Sequence, residues 1–195
     1  MNDSKKVSMT PEVYTDGSSL RNPGPSGLAY IIRYYIDHEE GMPEPKEIEF
    51  SQGFRLSTNN RMEIMAVIYA CKKILELIDD GTFIDITQVQ LTSDSEYVVK
   101  AINQNWISKW QTNGWMTAPF QNKKPHEVAN KDLWEQIIDI LESFKSKRVT
   151  LLVTHVPGHS GHEFNERCDE LARRASDGEL LKDEVYETIA AARRN

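Results

Sequence analysis

The sequence predicts a mixed α/β fold, one sheet with helices on its faces. Three observations carry this. Strand-like runs come first, a long amphipathic helix follows, and strands and helices then alternate to the end of the chain.

The opening strands read as a meander. Residues 12–16 (EVYTD) form a strand that ends in the turn GSSLRNPGPSG, and residues 28–36 (LAYIIRYYI) form a second, rich in aromatic and branched residues. The polar stretch 37–46 carries two prolines and reads as a loop, with a third strand near 47–56. The period then changes. Ile64, Val67, Ile68, Cys71, Leu75 and Ile78 recur at helical spacing over 59–79, with Thr58 or Asn59 as cap and Gly81 as stop. Residues 88–93 form a strand leading into Asp94, 96–106 a short helix, and 131–144 a second long amphipathic helix. The run RVTLLVTHV at 148–156 reads as a strand buried on both faces, and a helix covers 164–175 after the loop PGHSGH. Leu181, Val185, Ile189 and Ala192 lie at helical spacing in the tail. The expected organisation is one domain over 1–176 and a C-terminal extension over 177–195, a helix packed on the body.

A chain of 195 residues with 39% hydrophobic content is long enough for one domain with a real core. No apolar run reaches the length of about 20 residues that crosses a bilayer, and MNDSKKVSMTPE lacks the apolar segment of a secretory signal, so a cytoplasmic protein is expected. The two cysteines, Cys71 and Cys168, sit at core-like positions in helical runs, and no disulfide is expected.

A net charge of −7 argues at first against nucleic acid as a partner, but its distribution argues the other way. From Tyr97 to Lys131, five lysines against Glu127 give +4, which leaves the remainder at −11. All four tryptophans, Trp106, Trp110, Trp115 and Trp134, lie in or beside that stretch. A basic, aromatic segment on an acidic protein suggests a dedicated contact surface.

Several acids sit at element ends: Asp16 and Asp94 at strand ends, Glu63 at a helix start, and Asp169 on the shoulder of a helix's apolar side. Taken singly, each is an ordinary solvated or capping carboxylate. The runs around them change that. YTDGSSLRNPGPSGLAYIIRY, STNNRMEIMA, LTSDSEYVVKAI and VPGHSGHEFNERCDELAR resemble, in order, the motifs of type 1 ribonuclease H, and the resemblance covers about residues 12–175. It implies a ribonuclease H-like fold with a five-stranded mixed sheet flanked by helices. It also implies an endonuclease that cuts the RNA strand of RNA–DNA hybrids and leaves 3′-hydroxyl and 5′-phosphate ends. A non-catalytic hybrid-binding protein of the same fold is the alternative.

The resemblance assigns the metal and catalytic carboxylates to Asp16, Glu63, Asp94 and Asp169, and the catalytic-loop histidine to His159. Hard cations such as Mg²⁺ or Mn²⁺ prefer an all-oxygen site, and two of them about 4 Å apart stabilise the attacking and leaving oxygens of a phosphodiester. His159, between Gly158 and Gly161, is expected to shuttle a proton or help release product. A zinc site from His159, His162 and Cys168 is a weak rival without a fourth ligand.

The resemblance further implies that the backbone around Gly17, Ser18 and Ser19 senses the 2′-hydroxyl. Asn22, Thr58, Asn59 and Asn60 resemble contacts to the DNA strand or the hybrid groove. The segment holding Trp110, Trp115, Lys123 and Lys124 resembles the family's basic protrusion. It departs in charge, since Gln111, Thr112, Asn113 and Met116 stand where lysine or arginine is common. Glu96 follows the DS motif, where an acid would oppose phosphate, and Pro157 precedes the GH pair where lysine is common. The expected partner is an RNA–DNA hybrid, with no membrane and no obligate protein partner, the chain acting as a monomer.

Overall fold

The structure is a computed structural model, and residues 10–36, 43–117 and 124–192 are described. Its centre is a sheet in the order β5-β4-β1-β2-β3-β6. Strands β1 (Glu12–Ser19), β2 (Gly24–Ile36) and β3 (Glu44–Ser57) form the antiparallel meander. Part of the loop expected over 37–46 lies outside the described residues, and Glu44–Lys46 belong to β3. Strand β4 (Gln88–Ser93) pairs parallel with β1, and β5 (Thr150–His155) pairs parallel with β4. To these five expected strands the structure adds a two-residue sixth, β6 (Leu180–Leu181), parallel to β3.

Period-2 alternation divides the central strands between two layers. Val13, Tyr30 and Ile32 join the main core with Ile64, Val67, Ile68 and Cys71 of helix α1 (Asn59–Asp79). Tyr14 and Ile31 meet Cys168, Phe164 and Leu171 of helix α5 (Glu163–Ala175). Helix α4 (Lys131–Ser146) packs on α1 and contributes Leu133, Trp134, Ile137, Ile140 and Phe144. Both cysteines are buried and free, and burial alone pushes the Cys71 thiol up to about 12.

Two expectations are corrected. Strand β5 is not buried on both faces. It is an edge strand, with only Val153 buried and Leu152 43% exposed. The expected helix over 96–106 is two helices, α2 (Glu96–Asn103) and α3 (Trp106–Thr112), divided where Asn105 takes a left-handed φ of 57°. In the tail, helix α6 (Glu184–Ala192) forms against β3, with Val185, Ile189 and, before them, Leu181 exposed. Polar contacts tie the tail to the body. Arg55 grips Glu187 through three hydrogen bonds of 2.8–3.2 Å, and Asp183 is 5% exposed among Ser57 and Arg61.

Candidate active site

The ends of three elements converge on one acidic cluster. Asp16 stands inside β1, and Gly17 follows it where the strand touches the start of α1. A Cβ at Gly17 would collide with the Glu63 nitrogen and the Met62 side chain, so only glycine lets strand and helix approach this closely. That approach brings Glu63 to Asp16. Thr58 caps α1 by accepting from Arg61 N at 3.4 Å, which fixes Glu63 in the second turn. Asp94 follows the end of β4, one strand over. Carboxylate oxygens of Asp16, Glu63 and Asp94 all lie within 4.8 Å of one another, the one such cluster of possible metal ligands among the described residues.

Three acids this close and this buried resist ionising together. Burial, then the charges of Asp94 and Glu63, push Asp16 up to about 9, although Gly17 N donates to its Oδ1 at 2.7 Å. Burial and Asp94 push Glu63 up to about 8, against nearby Ser95 and a hydrogen bond from Asn59 Nδ2 to Oε1 at 2.8 Å. Its other oxygen, Oε2, is buried without a partner. An all-oxygen set with suppressed ionisation and an orphaned oxygen fits a hard divalent cation, which would neutralise the charges and satisfy that oxygen.

The fourth expected carboxylate stands apart. Asp169 is outside the tight trio and pairs with Arg173 at 3.6 Å, yet it is near enough to add to the upward push on Asp16. His159 is exposed, with a left-handed φ of 53°. Its loop borders the site through Gly158, whose absent side chain would sit 3.0 Å from Asp94 Oδ2. The zinc alternative is not assembled, because Cys168 is fully buried and directs its Sγ to the Tyr14 carbonyl at 3.4 Å.

The expected hybrid contacts fall into two groups. Gly17, Ser18 and Ser19 lie beside the cluster at the end of β1, where Ser26 Oγ donates to Ser19 Oγ at 2.9 Å. Asn22 accepts from Asn59 N at 3.2 Å, and Asn22, Thr58 and Asn60 line a cleft of about 330 Å³ with Asn130 and Tyr186. In the protrusion, Trp110 packs against Trp106 and Trp134 with ring centres 6.1 and 5.5 Å away. Trp134 is wholly buried and donates to the Tyr97 hydroxyl at 3.2 Å. Trp115 is half-buried under Lys131, whose Nζ is 5.7 Å from the ring centre. Lys124 is exposed, and Lys123 lies outside the described residues. Glu96 does not stand as a bare negative charge: Lys100 pairs with it at 2.5 Å and holds its carboxyl below the usual range.

Sequence reasoning missed three neighbours of the cluster. Ser95 stands near Glu63 and draws its carboxyl down, His155 Nε2 lies 3.2 Å from the Asp94 carbonyl, and Asn165 Nδ2 donates to Asp94 Oδ2 at 3.4 Å. Asn165 had a signal: it precedes Asp169 by four residues, one helical turn.

Comparison with known proteins agrees with this geometry. The family model described as RNase H matches residues 9–177. Ribonuclease H of Klebsiella pneumoniae is 43% identical over 175 residues, covering 90% of this chain and 94% of that protein. Ribonuclease H of Sodalis glossinidius is 44% identical over 178 residues, covering 91% of each. Among solved structures, LC9-RNase H1, a type 1 enzyme, matches with a TM-score of 0.65 at 25% identity, over 87% of this chain and 72% of that one. LC11-RNase H1, solved in complex with an RNA/DNA hybrid, matches with a TM-score of 0.55 at 26% identity, over 86% and 97%. With its motifs in order, its sheet in that topology and its acids gathered at one place, the chain belongs to the RNase H family.

Proposed function

We propose that this protein is a metal-dependent endonuclease that hydrolyses the RNA strand of RNA–DNA hybrids, leaving 3′-hydroxyl and 5′-phosphate ends. The observation that carries the reading is the convergence of Asp16, Glu63 and Asp94 oxygens within 4.8 Å. Asp16, Glu63, Asp94 and Asp169 would hold two Mg²⁺ ions, with Mn²⁺ as a substitute. Bound there, the ions supply charge neutralisation at the attacking and leaving oxygens of the phosphodiester.

The chain's own residues do the rest. The backbone of Gly17–Ser19, beside Glu63, reads the 2′-hydroxyl that separates RNA from DNA. Asn22, Thr58 and Asn60, which border one cleft, hold the DNA strand together with Asn59. His159 moves a proton at the leaving oxygen or assists product departure from an exposed, glycine-flanked loop. Lys123, Lys124, Trp110 and Trp115 contact the hybrid along the protrusion. Glu96 opposes phosphate less than its charge suggests, since Lys100 neutralises it.

We place the chain in the cytoplasm as a monomer, with residues 1–176 as the catalytic domain and 177–195 as an extension. Two buried free cysteines suit a reducing compartment, and no described helix is long and apolar enough to cross a membrane. The test is cleavage of matched RNA–DNA, RNA–RNA and DNA–DNA duplexes with and without Mg²⁺. Cutting of the RNA–DNA duplex alone, and only with metal, is expected. Binding of hybrid without cleavage would favour the non-catalytic alternative.

A further inference from the structure

Asn165 is 2% exposed in the first turn of α5, one turn before Asp169. Its Nδ2 donates to Asp94 Oδ2 at 3.4 Å, while its Oδ1 is buried without a donor among the described residues. The reverse assignment of the amide would set oxygen against oxygen at Asp94, so the nitrogen faces the carboxylate and the oxygen is left over. A buried acceptor with no partner is uncommon and costly, which makes it a sign of an absent donor. Glu63 Oε2, in the same acidic cluster, is orphaned too.

Resting on the metal site proposed above, we infer that Asn165 is a positioning residue with two tasks. Its Nδ2 holds the Asp94 carboxylate in place, and its Oδ1 accepts a hydrogen bond from a water carried by the divalent cation. Mg²⁺ sheds water reluctantly and keeps several molecules when bound by carboxylates, so a donor of this kind comes with the ion. Groups that orient metal ligands in this way change affinity although they never touch the metal. The i, i+4 spacing lets one helix carry both Asn165 and Asp169, so a shift of α5 would move the two together.

The test uses the full chain, with Mg²⁺ as the only probe in a calorimetric titration, beside thermal melting of the metal-free protein. Asn165→Leu is close in shape and removes both polar atoms. Its Mg²⁺ affinity is expected to fall roughly 10-fold or more, within the range known for such orienting groups. Its kcat should fall while KM for hybrid stays within about twofold, the pattern of an interaction that serves the metal rather than substrate binding. Its metal-free Tm should change little, because losing the hydrogen bond to Asp94 is offset by replacing an unpaired buried acceptor with an apolar group. A merely structural asparagine would give the opposite: a lower metal-free Tm with Mg²⁺ affinity intact. Mg²⁺ affinity within twofold of wild type overturns the inference, and so does intact affinity with a raised KM, which would assign Oδ1 to the hybrid. Should Asn165→Leu fail to fold, Asn165→Ala carries the same comparison. A wild-type chain that binds no Mg²⁺ overturns the metal site and this role together, whereas equal binding by wild type and variant overturns this role alone.

Discussion

Arg61 and Asp183, 122 residues apart in sequence, are joined by two hydrogen bonds, Nε to Oδ2 at 2.8 Å and Nη2 to Oδ1 at 3.1 Å. The guanidinium is 2% exposed and also forks onto Asp132 at 2.9 Å through each Nη, so one buried cation ties the tail to both α1 and α4. Ser57 completes the arrangement by donating to Asp183 at 2.7 Å.

Removing Asp183 leaves Arg61 paired with Asp132 but strands two buried donors, Arg61 Nε and Ser57 Oγ. Asp183→Ala should therefore cost about 1–3 kcal/mol, the penalty for leaving buried donors unpaired. Urea unfolding checks it. A loss below about 1 kcal/mol, the range of an exposed pair, would mean that Asp132 alone satisfies Arg61.

The acidic cluster gives a pH dependence with a definite sign. Asp16 is held protonated to about 9 in the fold against 3.8 ordinarily, and Glu63 to about 8 against 4.5. The folded state binds more protons than the unfolded state between those values, so stability falls as pH rises. This contribution is complete below about pH 4 and lost by about pH 9. In chelator, Tm should decline from pH 5 to 9, and saturating Mg²⁺ should flatten the decline. A metal-free Tm that rises across that range through these two groups contradicts the cluster as described.

His159 lies in a loop beside Asp94 rather than among the clustered acids. His159→Ala should slow turnover by roughly 10- to 100-fold, the lower end for a proton-transfer group, without changing calorimetric Mg²⁺ affinity. Loss of Mg²⁺ binding would make the histidine a ligand instead.

In the protrusion, charge and aromatic residues separate into different roles. Neutralising Lys123 and Lys124 together should raise KM for hybrid and flatten its salt dependence by about one to two units, with little change in kcat. Trp110→Ala should lower Tm first, since Trp110 packs on Trp106 and Trp134 at the edge of the core. An unchanged salt slope in the lysine variant would place the grip on the hybrid elsewhere.

The fold was legible wherever local pattern and burial agree. The helical spacing of Ile64 to Ile78 marks α1, and β2 is rich in branched residues that the core buries. Strand β5 misled because an apolar run reads as doubly buried, and nothing local says that it lies at the sheet's edge. In the tail the helical spacing marks α6, whereas the ties of Asp183 and Glu187 to partners in β3 and α1 lie outside the apolar stripe and leave no periodic signal. The gathering of Asp16, Glu63 and Asp94 was legible in the specific runs that hold them. That Asp169 stands outside this trio and pairs with Arg173 depends on where α5 lies against the sheet, which no motif encodes. Glu96 looked like a repulsive charge until Lys100, one turn on, supplied its partner.

Cleavage of an RNA–DNA hybrid by wild type and Asp16→Asn, with and without Mg²⁺, tests the central claim most directly. Metal-dependent cutting of the RNA strand by wild type is expected. In the variant, cutting should be abolished in a folded protein whose Tm is at least that of wild type, because a buried carboxyl that the fold must hold protonated has been replaced by a neutral amide. Mg²⁺-dependent cleavage by Asp16→Asn at close to the wild-type rate would contradict the account.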